Sequence, residues 1–310
     1  MRRFVYTGLP SRVIFGLGSV EKLSEETDRL GAKRVLMIST PGRAAMVRSV
    51  AKNLSVAGIF DKAVMHTPLE LANQARELAK DLGADCCVVI GGGSTIGFGK
   101  AIALTSGLPL IAVPTTYSGS EMTTIWGLSE GALKKTGRDP KVLPKTVIYD
   151  PELTLDLSSA VSAASGMNAI AHCVEALYAH DGNPIVSLMA EEGIRALASA
   201  LPRIILNLKD PDARTDALYG SWLAGATIST TSVALHHKLC HVLGGMGLPH
   251  AETHSIVLPH AMQYNRDAAP EAMRRIASAI AAEAPYPNPR KVEYGPVLEL
   301  LRNAYEGRRP

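Results

Sequence analysis

Between Leu235 and His260 the chain reads LHHKLCHVLGGMGLPHAETHSIVLPH and carries six of its nine histidines. Imidazole titrates near neutrality and is the commonest metal ligand, so this concentration points to proton transfer, charge stabilisation or coordination. If Thr231 to Leu243 is helical, His237 and His241 stand four residues apart and project from one face. Gly244, Gly245 and Gly247 then let the backbone turn and return His250 to that face. The plainer alternative is a set of helix-surface or core histidines satisfied by backbone carbonyls, but packing alone does not ask for imidazole repeatedly on one face. Upstream, SGMNAIAHCVE from Ser165 places Asn168 and His172 at i, i+4, two polar groups pointing the same way. A capping asparagine beside an unrelated helical histidine is the alternative there.

A different chemistry is suggested by GGGSTIGFGK from Gly91, set between an apolar run and a helical one. Backbone N–H groups and the helix dipole at such a junction favour a pyrophosphate, and consecutive glycines let it approach the backbone closely. The spacing is not the common GxGxxG fingerprint, and a glycine-rich turn alone is often only a turn. PTTYSGSE from Pro114 ends the next apolar run with several hydroxyls, groups that suit ribose and phosphate oxygens at a strand C-terminus or, more simply, a Ser/Thr turn.

These motifs need elements to hold them. Apolar runs at Arg34–Ser39, Asp85–Ile90 and Leu110–Val113 read as buried strands, and helical patterns lie between them: Ser19–Gly31 with Ser19 as N-cap, a run through Val47 and Leu54, Leu69–Leu82 and Thr95–Thr105. Continuously apolar strands alternating with helices predict a doubly wound parallel sheet, an α/β dinucleotide-binding domain over residues 1–153. Beyond it no strand pattern is convincing, and long amphipathic runs (Val161–Tyr178, Ile185–Asn207, Asp212–Thr230, then the histidine helix) predict an all-helical catalytic domain over residues 154–310.

Composition narrows the function. With 46% hydrophobic and 20% charged residues and a formal net charge of +3, the chain has no basic excess that would argue for nucleic acid or a membrane surface. Cys86, Cys87, Cys173 and Cys240 show neither disulfide-framework nor zinc-knuckle spacing and read as small buried hydrophobes, which fits a reducing cytoplasm. Neither a signal sequence nor a membrane span is expected.

The order of motifs (GGGS, PTTYSGSE, a G-x-Asn-A-x-x-H-x-x-E helix, H-x-x-x-H-x-L-G-G and P-H) resembles the iron-containing group III alcohol dehydrogenase superfamily, from Phe4 to His260, and within it the maleylacetate reductases. The resemblance implies NADH or NADPH held by Gly91, Gly92, Gly93, Ser94, Thr115, Thr116, Ser118 and Lys135. It places the imidazole ligand positions of iron-dependent members at His172, His237 and His250. Those members carry a carboxylate where this chain has Asn168, a neutral amide that holds a dication far less well, so no metal is expected. HHKLCH and PHAETH are further points of similarity. Gly97 stands where the wider family has an aspartate, and the chain passes abruptly from helix to PYPNPR near Ala282 and Glu283, where relatives have further helices. The implied activity is reduction of the conjugated double bond of maleylacetate, a small dicarboxylate, to 3-oxoadipate by a cytoplasmic homodimer. Imidazolium at His237 or His241, with Lys238 adjacent, would stabilise the enolate, and His172, His250 and Asn168 complete the expected catalytic set. A metal-dependent alcohol dehydrogenase and a non-catalytic nucleotide-binding protein are the alternatives.

Overall fold

The computed structural model describes Phe4, residues 6–9, 12–131 and 133–281. The chain divides into two compact units, Leu9–Leu155 and the residues from Asp156 onward together with those up to Gly8.

The first unit is built from β1 (Arg12–Phe15), α1 (Leu23–Arg29), β2 (Val35–Ile38), α2 (Ala44–Val50), β3 (Val56–Phe60), α3 (Leu69–Asp81), β4 (Cys86–Gly91), α4 (Gly93–Ser106), β5 (Leu110–Pro114), an antiparallel hairpin of β6 (Ile125–Glu130) and β7 (Leu133–Arg138), and β8 (Thr146–Tyr149). Six strands form one parallel sheet in the order β1-β8-β5-β4-β2-β3. Every residue of β2, β4, β5 and β8 is buried, the pattern of strands covered on both faces. Each Val, Ile or Leu so placed contributes about 1.5–3 kcal/mol by burial. The chain runs outward one way from β2 to β3 and the other way from β4 through β5 to β8. The reversal between β2 and β4 is the place where loops diverge and ligands bind in such sheets. β4 and β5 run in register from Cys87↔Leu110 to Gly91↔Pro114, so the loops leaving their C-terminal ends start abreast.

Strands β1, β3, β8 and the hairpin are not apparent in the sequence pattern. β1 has no buried residue, β3 is interrupted by Gly58, and the hairpin residues are partly to fully exposed where described; β8, as short and as buried as β2, has no such cause. The expected N-cap at Ser19 is also corrected. The first turn, Ser19–Lys22, is a 3-10 helix capped by Gly18, and the Ser19 hydroxyl donates instead to the Tyr149 carbonyl (2.9 Å). Asp150, at the far end of the unit in sequence, accepts from the amides of Gly18 (3.2 Å) and Val20 (3.0 Å) and satisfies the turn that a local cap would have served.

Among its described residues the second unit has only helices as regular structure: α5 (Ser159–Tyr178), α6 (Pro184–Leu206), α7 (Pro211–Thr230), α8 (Leu235–Gly245), α9 (His250–Asn265) and α10 (Pro270–Ala281). Ser158, Asn183 and Asp210 cap α5, α6 and α7, and proline opens the last two of these, where its missing N–H costs nothing. Helices α6 and α7 cross closely because Gly193 and Gly220 face one another; a Cβ on Gly220 would stand 3.0 Å from the Gly193 carbonyl. Arg214 is fully buried and ties α7 to the start of α5 through Ser162 Oγ (2.8 Å) and the carbonyls of Leu157 (3.0 Å) and Leu208 (2.9 Å).

The histidine helix begins at Leu235, four residues later than the sequence pattern suggests. Thr231 is extended, and the stretch before α8 is held by two carboxylates of neighbouring chain: Asp181 accepts from Ser232 N (2.9 Å) and Oγ (2.7 Å), and Glu175 from Ala234 N (2.9 Å) and His236 N (2.8 Å). The abrupt change near Ala282 and Glu283 lies outside the described residues.

Candidate active site and cofactor loop

The glycine-rich motif lies where an anion site would have to be. Gly91 ends β4 with φ +156°, Gly92 caps α4, and Gly93 and Ser94 form its first turn, whose N–H groups have no partner within a helix. The hydroxyl motif closes on it: a Cβ on Gly92 would stand 2.9 Å from Thr116 Oγ1, and one on Gly93 3.3 Å from Ser118 Oγ. Absence of side chains at these glycines is therefore what lets the two loops meet. Thr115 is buried and its amide donates to the Gly91 carbonyl (3.0 Å), while Gly92, Gly93, Ser94, Thr116 and Ser118 are half-buried. Lys135 is exposed on the hairpin and ion-paired with Glu130 (3.1 Å).

Beneath the loops lies a polar network the motifs do not announce. Lys100 is fully buried, and its ammonium donates to the carbonyls of Ser120 (2.7 Å), Thr123 (2.8 Å) and Ile125 (2.8 Å) and to Thr123 Oγ1 (2.8 Å). Burial pushes its pKa down to about 7, against the pull of Glu121. Glu121, equally buried, accepts from Tyr149 OH (2.8 Å) and Ser118 Oγ (3.3 Å), and burial raises its pKa despite these bonds. Ser118 Oγ also accepts from Ser120 N (3.3 Å), so its proton is committed and what it offers a ligand is a lone pair. The available signal was a lysine among Ile96, Phe98, Ala101 and Ile102, a charge on an otherwise apolar helix.

In the helical unit, Asn168, His172 and Glu175 share one face of α5, and α8 and α9 bring imidazoles against it. The rings of His172 and His237 have centroids 5.0 Å apart, His237 and His241 6.3 Å, His237 and His254 4.8 Å, and His250 and His254 4.3 Å. The rings of His172, His237, His241, His250 and His254 thus lie against one another on the helical unit, with Asn168 one turn before His172 on α5. Lys238, the next residue after His237 on α8, is exposed. Three members were missed: Glu175, His236 and His254. His254 follows His250 by four residues in HAETH, the same spacing that marks His237 and His241.

Glu175 fixes the chemistry of the group. Its carboxylate accepts from two backbone amides and lies 2.7 Å from His237 Nδ1, so the His237 proton sits on Nδ1 and Nε2 is left as a bare lone pair. His236 donates from Nε2 to the His254 carbonyl (3.0 Å). Burial, then the neighbouring imidazoles, holds His172 and His237 well below the ordinary histidine pKa, and burial first depresses His254 in the same way. Burial thus favours the neutral imidazole at His237, one of the two positions, with His241, at which an imidazolium was expected.

Models of the two halves of one family match this chain. Residues 10–151 match the iron-containing alcohol dehydrogenase model, and residues 162–295 that of the Fe-containing alcohol dehydrogenase family, C-terminal. The chain belongs to the iron-containing alcohol dehydrogenase family. Among its relatives are maleylacetate reductases of Burkholderia cepacia, 48% identical over 351 aligned positions and all of both chains, and of Sphingobium indicum, 49% identical over 99% of each. The crystal structure of maleylacetate reductase from Rhizobium sp. strain MTP-10005 superposes with a TM-score of 0.87, 43% identity and complete coverage of both chains.

The family description implies iron; buried nitrogens of His236, His237 and His254 lie within 4.8 Å of one another, but the set lacks the carboxylate that such iron sites use. Asn168 Oδ1, His172 Nδ1 and His237 Nε2 are buried polar atoms without a protein partner, and all are uncharged. Iron(II) sites of this kind include a carboxylate oxygen, whereas the carboxylate packed against this group, Glu175, is occupied by His237 and two amides.

Proposed function

We propose that this chain is a maleylacetate reductase that reduces the carbon–carbon double bond of maleylacetate to give 3-oxoadipate, using NADH or NADPH and no metal. The activity is carried by full-length relatives of that name at 43–49% identity. Metal independence rests on one observation, the neutral amide of Asn168 among neutral imidazoles, with Glu175 engaged elsewhere. A bound nicotinamide supplies the hydride. The Gly91–Ser94 loop with Thr115, Thr116 and Ser118 holds the dinucleotide; Lys135, paired on the hairpin, is a member of that set. As hydride adds to the conjugated double bond, negative charge develops on the enolate oxygen, and imidazoles other than His237, whose proton is engaged by Glu175, supply the N–H groups that stabilise that charge. His241 is only half-buried, so it exchanges protons with solvent more readily than His237 and is assigned to deliver the proton to carbon. His172, His250 and Asn168 shape the polar wall, and the absence of a carboxylate at 168 avoids repelling a dicarboxylate. Lys238, exposed beside them, serves long-range attraction of the dianion.

Buried free cysteines support a reducing cytoplasm, and a homodimer is carried over from the resemblance. No helix among the described residues is long and apolar enough to cross a membrane. The test is oxidation of NADH and NADPH with maleylacetate, set against simple aldehydes, in the presence of chelator. Turnover of maleylacetate is expected; turnover of aldehydes alone, abolished by chelator and restored by iron or zinc, favours the metal-dependent alcohol dehydrogenase. Cofactor binding without turnover of either favours the non-catalytic nucleotide-binding protein.

A further inference from the structure

Gly93 and Lys100 stand seven residues apart on α4, two turns along one face, and that face meets the segment that leaves the hydroxyl motif. At the N-terminal end of the helix a Cβ on Gly93 would stand 3.3 Å from Ser118 Oγ and 4.0 Å from Ser120 Cβ. Two turns on, the Lys100 ammonium lies 2.7–2.8 Å from four oxygens: the carbonyls of Ser120, Thr123 and Ile125, and Thr123 Oγ1. Between β5 and β6 the regular structure is a single 3-10 turn, Ser120–Met122, so this nitrogen rather than a strand ladder ties the segment to the helix. Packing alone would be served by an apolar side chain of the same length, without the cost of burying a charge.

We propose that Lys100 is a positioning residue for the cofactor: its ammonium holds the hydroxyl motif against the helix that carries Gly93 and Ser94, and the neutral amine does not. The inference rests on the cofactor reading above. An ammonium spreads three protons over the four oxygens, whereas a neutral amine has two and turns a lone pair toward the rest, so the segment is tied at fewer points. Burial brings the Lys100 pKa down to about 7, and both forms are populated near neutrality. Of the charges that face it, Glu121 favours the ammonium and Arg138 of β7 opposes it. Arg76 of α3 is turned to the Ala101 carbonyl (3.1 Å), and Lys141, beyond β7, is exposed. Burial keeps the thiols of Cys86 and Cys87 on β4 protonated, and α4 carries no other titratable residue. Cofactor binding that needs the ammonium takes up protons where Lys100 is otherwise neutral, and its affinity falls as pH rises above about 7.

The test is NADH and NADPH binding by fluorescence titration at pH 7 and pH 9, a range that lies above the titration of the extra NADPH phosphate at about 6. In the natural protein the Kd of the cofactor that binds is expected to rise by roughly fivefold or more between the two. Lys100→Met keeps the length and removes the charge; it is expected to bind more weakly than the natural protein at pH 7, with a Kd that no longer depends on pH. A natural protein whose Kd is the same at both pH values overturns the inference. So does a Lys100→Met variant that keeps the natural pH dependence, which marks the lysine as structural only. Where Lys100→Met does not fold, calorimetry of the natural protein at pH 8 in two buffers of different ionisation enthalpy decides: uptake of part of a proton per cofactor bound is expected, and no uptake overturns the inference. A natural protein that binds neither NADH nor NADPH would instead overturn the cofactor reading itself.

Discussion

Asn168 and Glu175 decide what the imidazole group can do. Three neutral imidazoles and an amide would leave a dication with its full charge, whereas one aspartate would cancel half of it. Activity in the natural protein is expected to survive dialysis against chelator, and Asn168→Asp to raise iron(II) or zinc affinity while lowering maleylacetate reduction, since the new anion repels both substrate carboxylates and the developing enolate. Calorimetric titration with zinc and steady-state kinetics in chelator check both halves; a variant whose metal affinity does not change would remove Asn168 from the group. Glu175→Gln presents an amide to His237 Nδ1 and frees its tautomer. A fall in kcat of roughly 10–100-fold is expected, with thermal stability little changed, as for other partners that orient a functional histidine. The i, i+4 spacings made the pairs Asn168/His172 and His237/His241 readable as sharing a helix face, because helical period alone puts such pairs together, whereas His250 was placed by the glycine turn before it. Glu175 was not legible as a partner, since its role depends on the approach of α8 from 62 residues away.

At the level of elements, the parallel register of β4 and β5 joins two motifs that are separate in sequence. Gly92 is the contact point, and a valine there would drive Thr116 away, its Cβ starting 2.9 Å from that hydroxyl. Gly92→Val is expected to raise the NADH Kd by more than tenfold in a protein that still folds, because the sheet beneath is untouched; an unaltered titration would exclude the loop from the cofactor site. The buried strands β2, β4 and β5 and the helices α3 to α7 were legible to within a few residues, since continuous apolar runs and capped amphipathic runs have local causes. What local pattern could not supply was long-range closure: Asp150 serving the turn at Gly18, Asp181 and Glu175 delaying the start of α8, and Ser129 holding Thr67 in a left-handed conformation. Each is a side chain whose partner lies far away in sequence, and each replaces a residue that could have done the job nearby.

Two compact units with separate cores give the whole molecule a built-in pair of reporters. Of the two tryptophans, Trp126 lies on β6 of the α/β unit and Trp222 on α7 of the helical one. Glu26 is a lever on the first unit alone: its buried carboxylate joins β1, α1 and β8 through Arg12 Nε (3.0 Å), Arg29 Nε (2.9 Å) and Thr146 Oγ1 (2.9 Å). Burial alone would raise its pKa, but together the bonds from Arg29, Thr146 and Arg12 outweigh that and hold it below the ordinary carboxylate value. A folded-state pKa depressed in this way contributes stability that is fully present above the unfolded carboxylate pKa and is lost as pH falls through the folded value. Glu26→Gln should therefore weaken the α/β unit at neutral pH by about 1–2 kcal/mol, the half-exposed guanidiniums being screened by solvent. The difference from the natural protein should vanish in acid, where Glu26 itself is protonated. Urea unfolding of Trp126→Phe and Trp222→Phe backgrounds separates the two signals: the Trp126 transition moves and the Trp222 transition stays. A deficit that persists undiminished in acid would show that the bonds to Glu26 do not depend on its charge, and equal movement of both tryptophan transitions would show that the two units unfold as one.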